Sequence, residues 1–309
     1  MVLINSDFKR VVQKQTYVAL GSFDGIHKGH LALINKSIEL AKKNDSLSMV
    51  YTFKNHPRTL INKGGAPKLI INLEEKTEML QYLGVDLSVF VEFTKKFMSL
   101  EPEEFINNLI KEYNVKGIVV GFNYRFGYKN KGDVNFLKEL VLSKGVELYI
   151  IDPFTYKDDV VSSTRIRNAV LEGRMYEAYN MLGRYFSLKG EVVGGKRIGR
   201  TIDFPTANID INKKIVLPKI GVYYTNVELN GEVYKGITSV GNNPTVNGKN
   251  ITVETHILDF DEDIYGKEIK LYFISKIRDE KKFNSLEELK LQLINDKNFA
   301  EKSNIKIYL

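Results

Sequence analysis

Apolar and polar positions follow one repeating pattern over the first half of the chain. Short apolar runs alternate with amphipathic segments of helical spacing. The predicted strands span 16–23, 47–53, 87–92, 117–123 and 146–152, and the predicted helices span 28–43, 74–83, 102–114, 132–144 and 163–172. This alternation predicts βαβ crossovers and a parallel, Rossmann-like sheet, whose ligands bind at the carboxyl ends of the strands.

From about residue 173 the long helical segments disappear. A short helix is predicted over 175–182, ending at Gly183, and strands over 185–193, 220–229, 232–240, 252–258 and 270–277. Asn230-Gly231 is a strong hairpin signal. Short strands separated by turns predict a small antiparallel β-barrel. We therefore expect an α/β domain over 1–183 and a β domain over 184–309.

The last predicted element is a helix that follows the barrel strands. Ser285 and Glu288 have the spacing of a capping box. Leu286, Leu289 and Leu293 form one apolar stripe, which we expect to dock on the barrel.

A glycine-framed motif joins the first predicted strand to the first predicted helix. Residues 21–30 are G-S-F-D-G-I-H-K-G-H. Glycines allow close approach of a ligand, and a helix N-terminus favours anions. If the helix begins by Ile26, His27 and His30 share one face of its first turn and flank a bound triphosphate. The alternatives are two surface histidines, or two ligands of a metal site completed by Asp24 or His56.

Polar residues also follow the other predicted strands. His56 lies after the second strand, in a segment that is either a turn stiffened by Pro57 or part of the same ligand site. Asn123 and Arg125 follow the fourth strand among aromatic residues and suit a planar ring. After the fifth strand comes S-S-T-R-I-R, residues 162–167, where hydroxyl groups suit a helix cap and the arginines add cations for a phosphate.

A second group of candidate residues lies at the start of the predicted barrel. The glycine-rich basic loop 194–201 leads into F-P-T-A-N, residues 204–208. This segment is either a surface turn or a magnesium-nucleotide site that combines backbone donors, cations and oxygen ligands. Glu254 lies in a predicted strand of alternating residues. It is either a solvated carboxylate or the base that a phosphoryl transfer to an alcohol needs.

Composition narrows the class of protein. The 309 residues are 43% hydrophobic and 27% charged, as in globular proteins. The chain has no cysteine, which excludes disulfides and thiol chemistry and fits a reducing cytoplasm. The net charge of +7 is scattered rather than clustered, which argues against a nucleic-acid partner and fits anionic small substrates. We expect no secretion signal and no membrane span.

The motifs carry a family resemblance over nearly the whole chain. G-x-F-D-G-x-H-x-G-H resembles the FAD synthetase branch of the nucleotidyltransferase superfamily, and S-S-T-x-I-R resembles the element that completes its ATP site. P-T-A-N resembles riboflavin kinases, as do the segments 221–223, 240–245, 253–260 and 263–266 that follow it. Together they resemble the bifunctional riboflavin kinase/FAD synthetase family.

The resemblance implies two reactions: phosphorylation of riboflavin by ATP to FMN, and adenylylation of FMN by a second ATP to FAD, both with Mg²⁺. For the second reaction it implies His27 and His30 in catalysis, Gly21, Phe23, Asp24, Gly29, Ser163, Thr164 and Arg165 at the nucleotide, and His56, Asn123 and Arg125 at the flavin. For the first it implies Glu254 in catalysis, Gly194, Lys196, Gly199, Arg200 and Asn242 at the nucleotide, Arg278 at the flavin, and Thr206 and Asn208 at the metal. The number of subunits stays open.

Two departures and two alternatives accompany this interpretation. Asp203 stands where the family more often has glycine, and Val246 where it usually has an aromatic residue, so the kinase could be less efficient. One alternative is a single-activity nucleotidyltransferase for another small phosphate, with a degenerate barrel. The other is a flavin-responsive or RNA-binding regulator, which the intact motifs and the scattered charge disfavour.

Overall fold

The computed structural model describes residues 2–4, 12–61, 65–195, 204–245, 248–305 and 307. The chain forms two compact units, residues 1–163 and 164–309. Within the described residues, no helix is both long enough and apolar enough to cross a membrane.

The first unit contains one parallel sheet, with a small hairpin near its end. Within its described residues, six strands lie side by side in the order β1-β4-β3-β2-β5-β6. The strands are β1 (Val2–Ile4), β2 (Thr16–Leu20), β3 (Leu47–Phe53), β4 (Leu87–Val91), β5 (Val115–Gly121) and β6 (Glu147–Ile151), and the hairpin is β7 (Thr155–Tyr156) with β8 (Asp159–Val160). The helices are α1 (Lys28–Lys43), α2 (Arg58–Ile61), α3 (Leu73–Tyr82), α4 (Lys95–Met98), α5 (Pro102–Tyr113) and α6 (Val134–Leu142), with a 3-10 turn at Tyr128–Asn130.

The strand order places a ligand crevice at the centre of this sheet. β2 is fully buried and pairs in parallel with β3 on one side and β5 on the other. After β2 the chain adds β3 and β4 on one side of it and then β5 and β6 on the other. This reversal of direction opens a crevice at the carboxyl ends of β2, β3 and β5. The segments that follow β2, β3 and β5 carry His27, His56 and Asn123 respectively. The prediction of a parallel, Rossmann-like sheet is confirmed.

The second unit begins within α7 (Ser163–Leu171), at Thr164, includes α8 (Met175–Leu182) and continues as a barrel. Among its described residues, six strands close the barrel in the order β10-β13-β12-β11-β14-β9, and all neighbours are antiparallel. They are β9 (Phe186–Val193), β10 (Ala207–Ile211), β11 (Gly221–Leu229), β12 (Glu232–Thr245), β13 (Gly248–Ile257) and β14 (Glu268–Arg278), followed by α9 (Leu286–Lys302). The predicted barrel and final helix are confirmed.

Neighbouring residues of β11 make contacts on opposite sides of the barrel wall. Thr225, Thr238 and Thr255 are fully buried and form a hydrogen-bonded chain of hydroxyl groups across three strands, with Oγ1 to Oγ1 distances of 2.8 and 2.9 Å. On the next register positions, Tyr224 and Asn226 face the C-terminal segment: Asn226 Oδ1 accepts a hydrogen bond of 2.8 Å from the amide of Ile307. Adjacent positions on one strand therefore serve the interior and the exterior in turn.

Several predicted details are wrong. α1 begins at Lys28 with His27 as its N-cap, so the helix does not begin by Ile26. β1 and β10 were not predicted. The apolar stripe of α9 is only partly right: Leu289 and Leu293 are half-buried on the face that also buries Asp296 and Ala300, whereas Leu286 is 54% exposed. Asp296 is buried because it pairs with a cationic side chain of the barrel, and hydrophobic periodicity does not predict such a buried carboxylate.

Candidate functional site

His27 and His30 form a compact pair at the start of α1. Nδ1 of His27 accepts a hydrogen bond of 3.3 Å from the amide of His30, which caps the helix. The two rings stack with centroids 3.6 Å apart and planes inclined by 17°. Because Nδ1 of His27 accepts a hydrogen bond, the hydrogen of its neutral ring lies on Nε2, where it can be donated to a ligand oxygen.

Gly29 lies against the ring of His27. A Cβ atom at position 29 would lie 3.2 Å from both Cε1 and Nδ1 of His27. A side chain there would crowd the imidazole that caps the helix, which would have to shift by a few tenths of an ångström. Glycine at this position accommodates the ring of His27 without that shift.

The loop before the helix is held in a strained shape. Phe23 and Ile26 are buried and have positive φ angles of 47° and 36°, and Gly25 has a φ of 84°. Such angles are costly for residues with side chains and persist only where the surroundings impose them. A Cβ atom on Gly25 would lie 2.9 Å from Cδ1 of Ile70. Gly25 and the packing of Ile70 against it thus hold the backbone before His27 in this conformation.

Asp24 and Ser163 stabilise the same loop. The Asp24 side chain is buried, and its Oδ1 accepts a hydrogen bond of 2.9 Å from the amide of Ile70. Ser163 donates its hydroxyl to the carbonyl oxygen of Asp24 at 2.9 Å. Both predicted nucleotide-binding residues therefore have a part in shaping the loop.

His56 lies in a small cleft beside this loop. The cleft is lined by segments from the ends of β2 and β3 and by the start of α3, and its polar residues include Asp24, Asn55, His56 and Lys76. Nδ1 of His56 accepts a hydrogen bond of 3.1 Å from the amide of Arg58. A metal site built from His27, His30 and Asp24 or His56 is not formed, since within the described residues no three His, Asp or Glu side chains are grouped to hold an ion.

The remaining predicted residues of the first site lie in two places. Asn123 and Arg125 are exposed on the segment after β5, and Nη1 of Arg125 lies 3.7 Å from Oδ2 of Asp133. Asp133 also caps α6, accepting a hydrogen bond of 3.0 Å from the amide of Phe136. Thr164 and Arg165 belong to the first turn of α7 in the second unit, where Nη1 of Arg167 donates to Oγ1 of Thr164 at 3.4 Å.

In the barrel, Asn208 and Glu254 are direct register partners across β10 and β13. Ser239 of β12 is the register partner of Glu254 on its other side. Side chains of opposed residues point to the same face of a sheet, with Cβ atoms about 4.5 to 5.5 Å apart. A carboxylate, an amide and a hydroxyl group therefore lie side by side on three adjacent strands. Thr206, two residues before Asn208, is exposed at the entry to β10.

Gly195 lies directly against Asn208. A Cβ atom at position 195 would be 2.0 Å from Nδ2 and 2.6 Å from Cγ of Asn208, whereas one at Gly194 would meet nothing within 4 Å. The two glycines thus differ: the second allows the loop backbone to approach the Asn208 amide. Lys196, Gly199, Arg200 and Asp203 lie outside the described residues, as does Val246.

His256 holds the segment that carries Thr206. Its Nδ1 lies 2.8 Å from the carbonyl oxygen of Pro205, and its ring is 5.2 Å from that of Phe204. Burial lowers the pKa of His256. The neutral ring therefore donates its Nδ1 hydrogen to Pro205 and fixes the backbone immediately before Thr206.

Arg278 is engaged within the barrel unit. Its guanidinium donates to the carboxylate of Asp296 from Nε at 3.1 and 3.0 Å and from Nη2 at 2.8 Å. Asp296 is only 1% exposed and also accepts from Gln292. This fork geometry ties the end of β14 to α9. Asn242, the other predicted contact near this end of the barrel, is exposed on β12.

Three residues that bear on the sites were not predicted: Lys76, Ser239 and the positioning role of His256. Lys76 follows two glutamates near a helix start, a pattern typical of a solvated face, yet its side chain is buried. Ser239 can be recognised as a site residue only from the strand register, which places it beside Glu254. For His256 the one usable signal in the sequence is strand parity, which puts it on the same face of its strand as Glu254.

Two family models cover most of the chain. The model described as FAD synthetase matches residues 9–165, and the model described as riboflavin kinase matches residues 182–304. The chain is 38% identical over 281 residues to the bifunctional riboflavin kinase/FMN adenylyltransferase of Listeria monocytogenes, covering 90% of this chain and 89% of that one. It is 35% identical over 292 residues to the protein of the same description from Bacillus subtilis, covering 93% and 92%.

A solved structure is similar over the full length. A crystal structure from Streptococcus pneumoniae, described as a macrolide-efflux protein, matches with a TM-score of 0.92 and 35% identity, covering 98% of this chain and all of that one. Its fold is that of both units. The efflux description belongs to that protein and has no counterpart in the two family-model matches.

Proposed function

This chain belongs to the bifunctional riboflavin kinase/FMN adenylyltransferase family, and we propose from that premise how its two domains divide the work. The enzyme phosphorylates riboflavin with ATP to give FMN and adenylylates FMN with ATP to give FAD. We assign adenylyl transfer to residues 1–183 and the kinase to residues 184–309. Support comes from the two family models, which meet between residues 165 and 182.

The kinase step is assigned to the face shared by Asn208, Ser239 and Glu254. The primary hydroxyl of riboflavin attacks the γ-phosphorus of ATP, ADP leaves, and Glu254 orients or accepts the hydroxyl proton. A carboxylate in this role must lie next to the phosphate site. The register pairing of Glu254 with Asn208 supports this arrangement.

The residues for a metal in the kinase are Thr206 and Asn208. Their side-chain oxygens are hard ligands, and their spacing of two residues places both on one face of an extended segment. The close approach of Gly195 leaves the Asn208 amide directly beside the Gly195 backbone. A bound Mg²⁺ would neutralise charge on the ATP phosphates.

The adenylyl step is assigned to the pair His27 and His30. A phosphate oxygen of FMN attacks the α-phosphorus of ATP and pyrophosphate leaves, so the protein has to position the reactants and stabilise negative charge. Nδ1 of His27 accepts a hydrogen bond within the stacked pair, so we assign its Nε2 hydrogen as the donor to a phosphate oxygen. We place the nucleotide phosphates at these rings with Gly21, Phe23, Asp24, Gly29, Ser163, Thr164 and Arg165, and the flavin near His56, Asn123 and Arg125.

We also propose a cytoplasmic enzyme that acts on small molecules and not on nucleic acid or membranes. The absence of cysteine and the scattered charge support this proposal.

The observation that best supports the assignment is that one chain contains both groups of site residues, the pair His27 and His30 and the face shared by Asn208, Ser239 and Glu254. The direct test is incubation of the full chain with riboflavin, ATP and Mg²⁺, followed by chromatography of the flavins. FMN and FAD should both form. Formation of FAD from supplied FMN without any phosphorylation of riboflavin would favour the single-activity alternative.

A further inference from the structure

We propose that Lys76 is a positioning residue for FMN adenylylation, whose buried ammonium group holds the loop of residues 21–25 in its active shape. The proposal rests on the assignment of adenylyl transfer to the first unit. Lys76 lies on α3, outside every motif of the chain, and is only 8% exposed.

The ammonium group connects the ends of β2 and β3, two of the three strands that border the crevice. Nζ donates to the carbonyl oxygen of Ser22 at 2.9 Å and to that of Phe53 at 3.5 Å. Ser22 lies in the loop between β2 and α1, and Phe53 is the last residue of β3. Thr52 also donates to Ser22, at 2.9 Å. The Ser22 carbonyl is thus held from two elements.

The position of Ser22 matters because the next residues are strained. Phe23 and Ile26 adopt positive φ angles, and the histidine pair begins immediately after them. Strain of this kind persists only while surrounding contacts impose it. Loss of the Lys76 contact would let the loop relax, and a shift of about 1 Å at a catalytic group can lower a rate by roughly 100-fold.

Burying a lysine ammonium group costs free energy, so the burial of Lys76 argues that its charge has a role. Burial lowers the pKa of Lys76 to about 8, while the carboxylate of Asp24 opposes that shift. The other charged or titratable groups at this cleft are Lys54 and His56, from the segment after β3, and Glu75 on α3 caps its own helix. An apolar residue would fill the space without that cost.

The sign of the pH dependence follows from the lowered pKa. Below about pH 8 the ammonium group is charged and holds the loop, and above it the neutral amine makes weaker hydrogen bonds. Adenylylation should therefore decline as pH rises through this range. An arginine at position 76 would stay charged and should not show this decline.

The experiment compares the full-length wild type with Lys76→Met and Lys76→Arg. For each, kcat and KM are measured for FMN adenylylation between pH 6.5 and 9.5, with riboflavin phosphorylation by the same sample as a control. Circular dichroism melting reports whether the first unit is folded. Lys76→Met should lower kcat about 100-fold at pH 7, with little change in KM for FMN or ATP and in the kinase rate.

The outcomes separate this proposal from the assignment of function. A wild type that makes no FAD would contradict the function itself. A folded Lys76→Met enzyme within threefold of wild type would overturn the role of Lys76, as would a decline above pH 8 that is the same in Lys76→Arg. If neither variant folds, the test is the pH dependence of kcat for FMN adenylylation by the wild type. A kcat that stays constant between pH 7 and 9 contradicts the proposal.

Discussion

Asn208 and Glu254 stand directly opposite each other on adjacent antiparallel strands, although they lie far apart in the sequence. The pairing places an amide oxygen suited to a metal beside a carboxylate suited to a hydroxyl proton. The proposed kinase mechanism requires these two groups next to each other, since the phosphate and the alcohol would meet between them. The barrel supplies that proximity through strand register.

The contact between Gly195 and Asn208 gives a matched pair of variants. Gly195→Ala should displace the Asn208 amide, because the new methyl group would overlap its Nδ2 atom, whereas Gly194→Ala adds a methyl group in open space. We expect Gly195→Ala to raise the apparent KM for ATP and lower kcat of riboflavin phosphorylation, by about 10-fold or more in kcat/KM. Gly194→Ala, at a residue also predicted to lie at the nucleotide but without this overlap, should have a clearly smaller effect. Equal effects of the two variants, measured by steady-state kinetics, would contradict the role of Asn208.

The capping role and the proposed catalytic role of His27 can be separated. Asparagine is a good N-cap residue but has no imidazole, so His27→Asn should keep the melting temperature close to wild type. His27→Ala should lose the cap and about 0.5 to 2 kcal/mol of stability. Both variants should lose roughly 100 to 1,000-fold in FMN adenylylation if the ring stabilises negative charge. Full activity in His27→Asn would leave the ring with a capping role alone.

The ion pair between Arg278 and Asp296 tests whether Arg278 also contacts the flavin. Asp296→Ala leaves the arginine without its buried partner and should cost about 3 to 5 kcal/mol of barrel stability. The double variant Arg278→Met with Asp296→Leu should recover most of this loss, since apolar replacements of a buried pair are often neutral. The measurements are thermal melting and KM for riboflavin. A double variant that regains stability but keeps wild-type KM would show that Arg278 is structural.

The domain boundary can be tested with two fragments. The compact unit begins at Thr164, whereas our functional boundary lies at residue 184, so residues 164–183 belong to the folded unit without belonging to the proposed kinase. Lys219 donates its amide to the carbonyl oxygen of Val170 at 3.1 Å, and α8 buries Met181 and Leu182. Fragment 164–309 should therefore melt at a higher temperature than fragment 184–309. Both should make FMN and no FAD, and a folded fragment 164–309 without kinase activity would contradict the assignment.

Local sequence was sufficient for most elements and insufficient for the contacts between them. Hydrophobic periodicity and turn signals predicted the parallel sheet and the barrel, and the capping box predicted the start of the last helix at Ser285. β10 was missed although its five residues, A-N-I-D-I, alternate apolar and polar positions, because the run is short and begins inside a segment interpreted as a turn or a magnesium-nucleotide site. Its identity as a strand depends on pairing with β9 and β13, which no local window contains.

The candidate sites show the same limit. Motifs located His27, His30, Asn208 and Glu254, because these residues sit at recognisable turns or in recognisable runs. The burial of Lys76 depends on the packing of α3 against the ends of β2 and β3, which the sequence around it does not indicate.

The central claim is that one chain carries two independent active sites, one at His30 and one at Glu254. The most direct measurement is product chromatography of the wild type, His30→Ala and Glu254→Gln, each supplied separately with riboflavin and with FMN in the presence of ATP and Mg²⁺. His30→Ala should make FMN at the wild-type rate and FAD roughly 100 to 1,000-fold more slowly. Glu254→Gln should convert FMN to FAD normally and phosphorylate riboflavin roughly 100 to 10,000-fold more slowly. Loss of both activities in either folded variant, or loss of neither, would contradict the account.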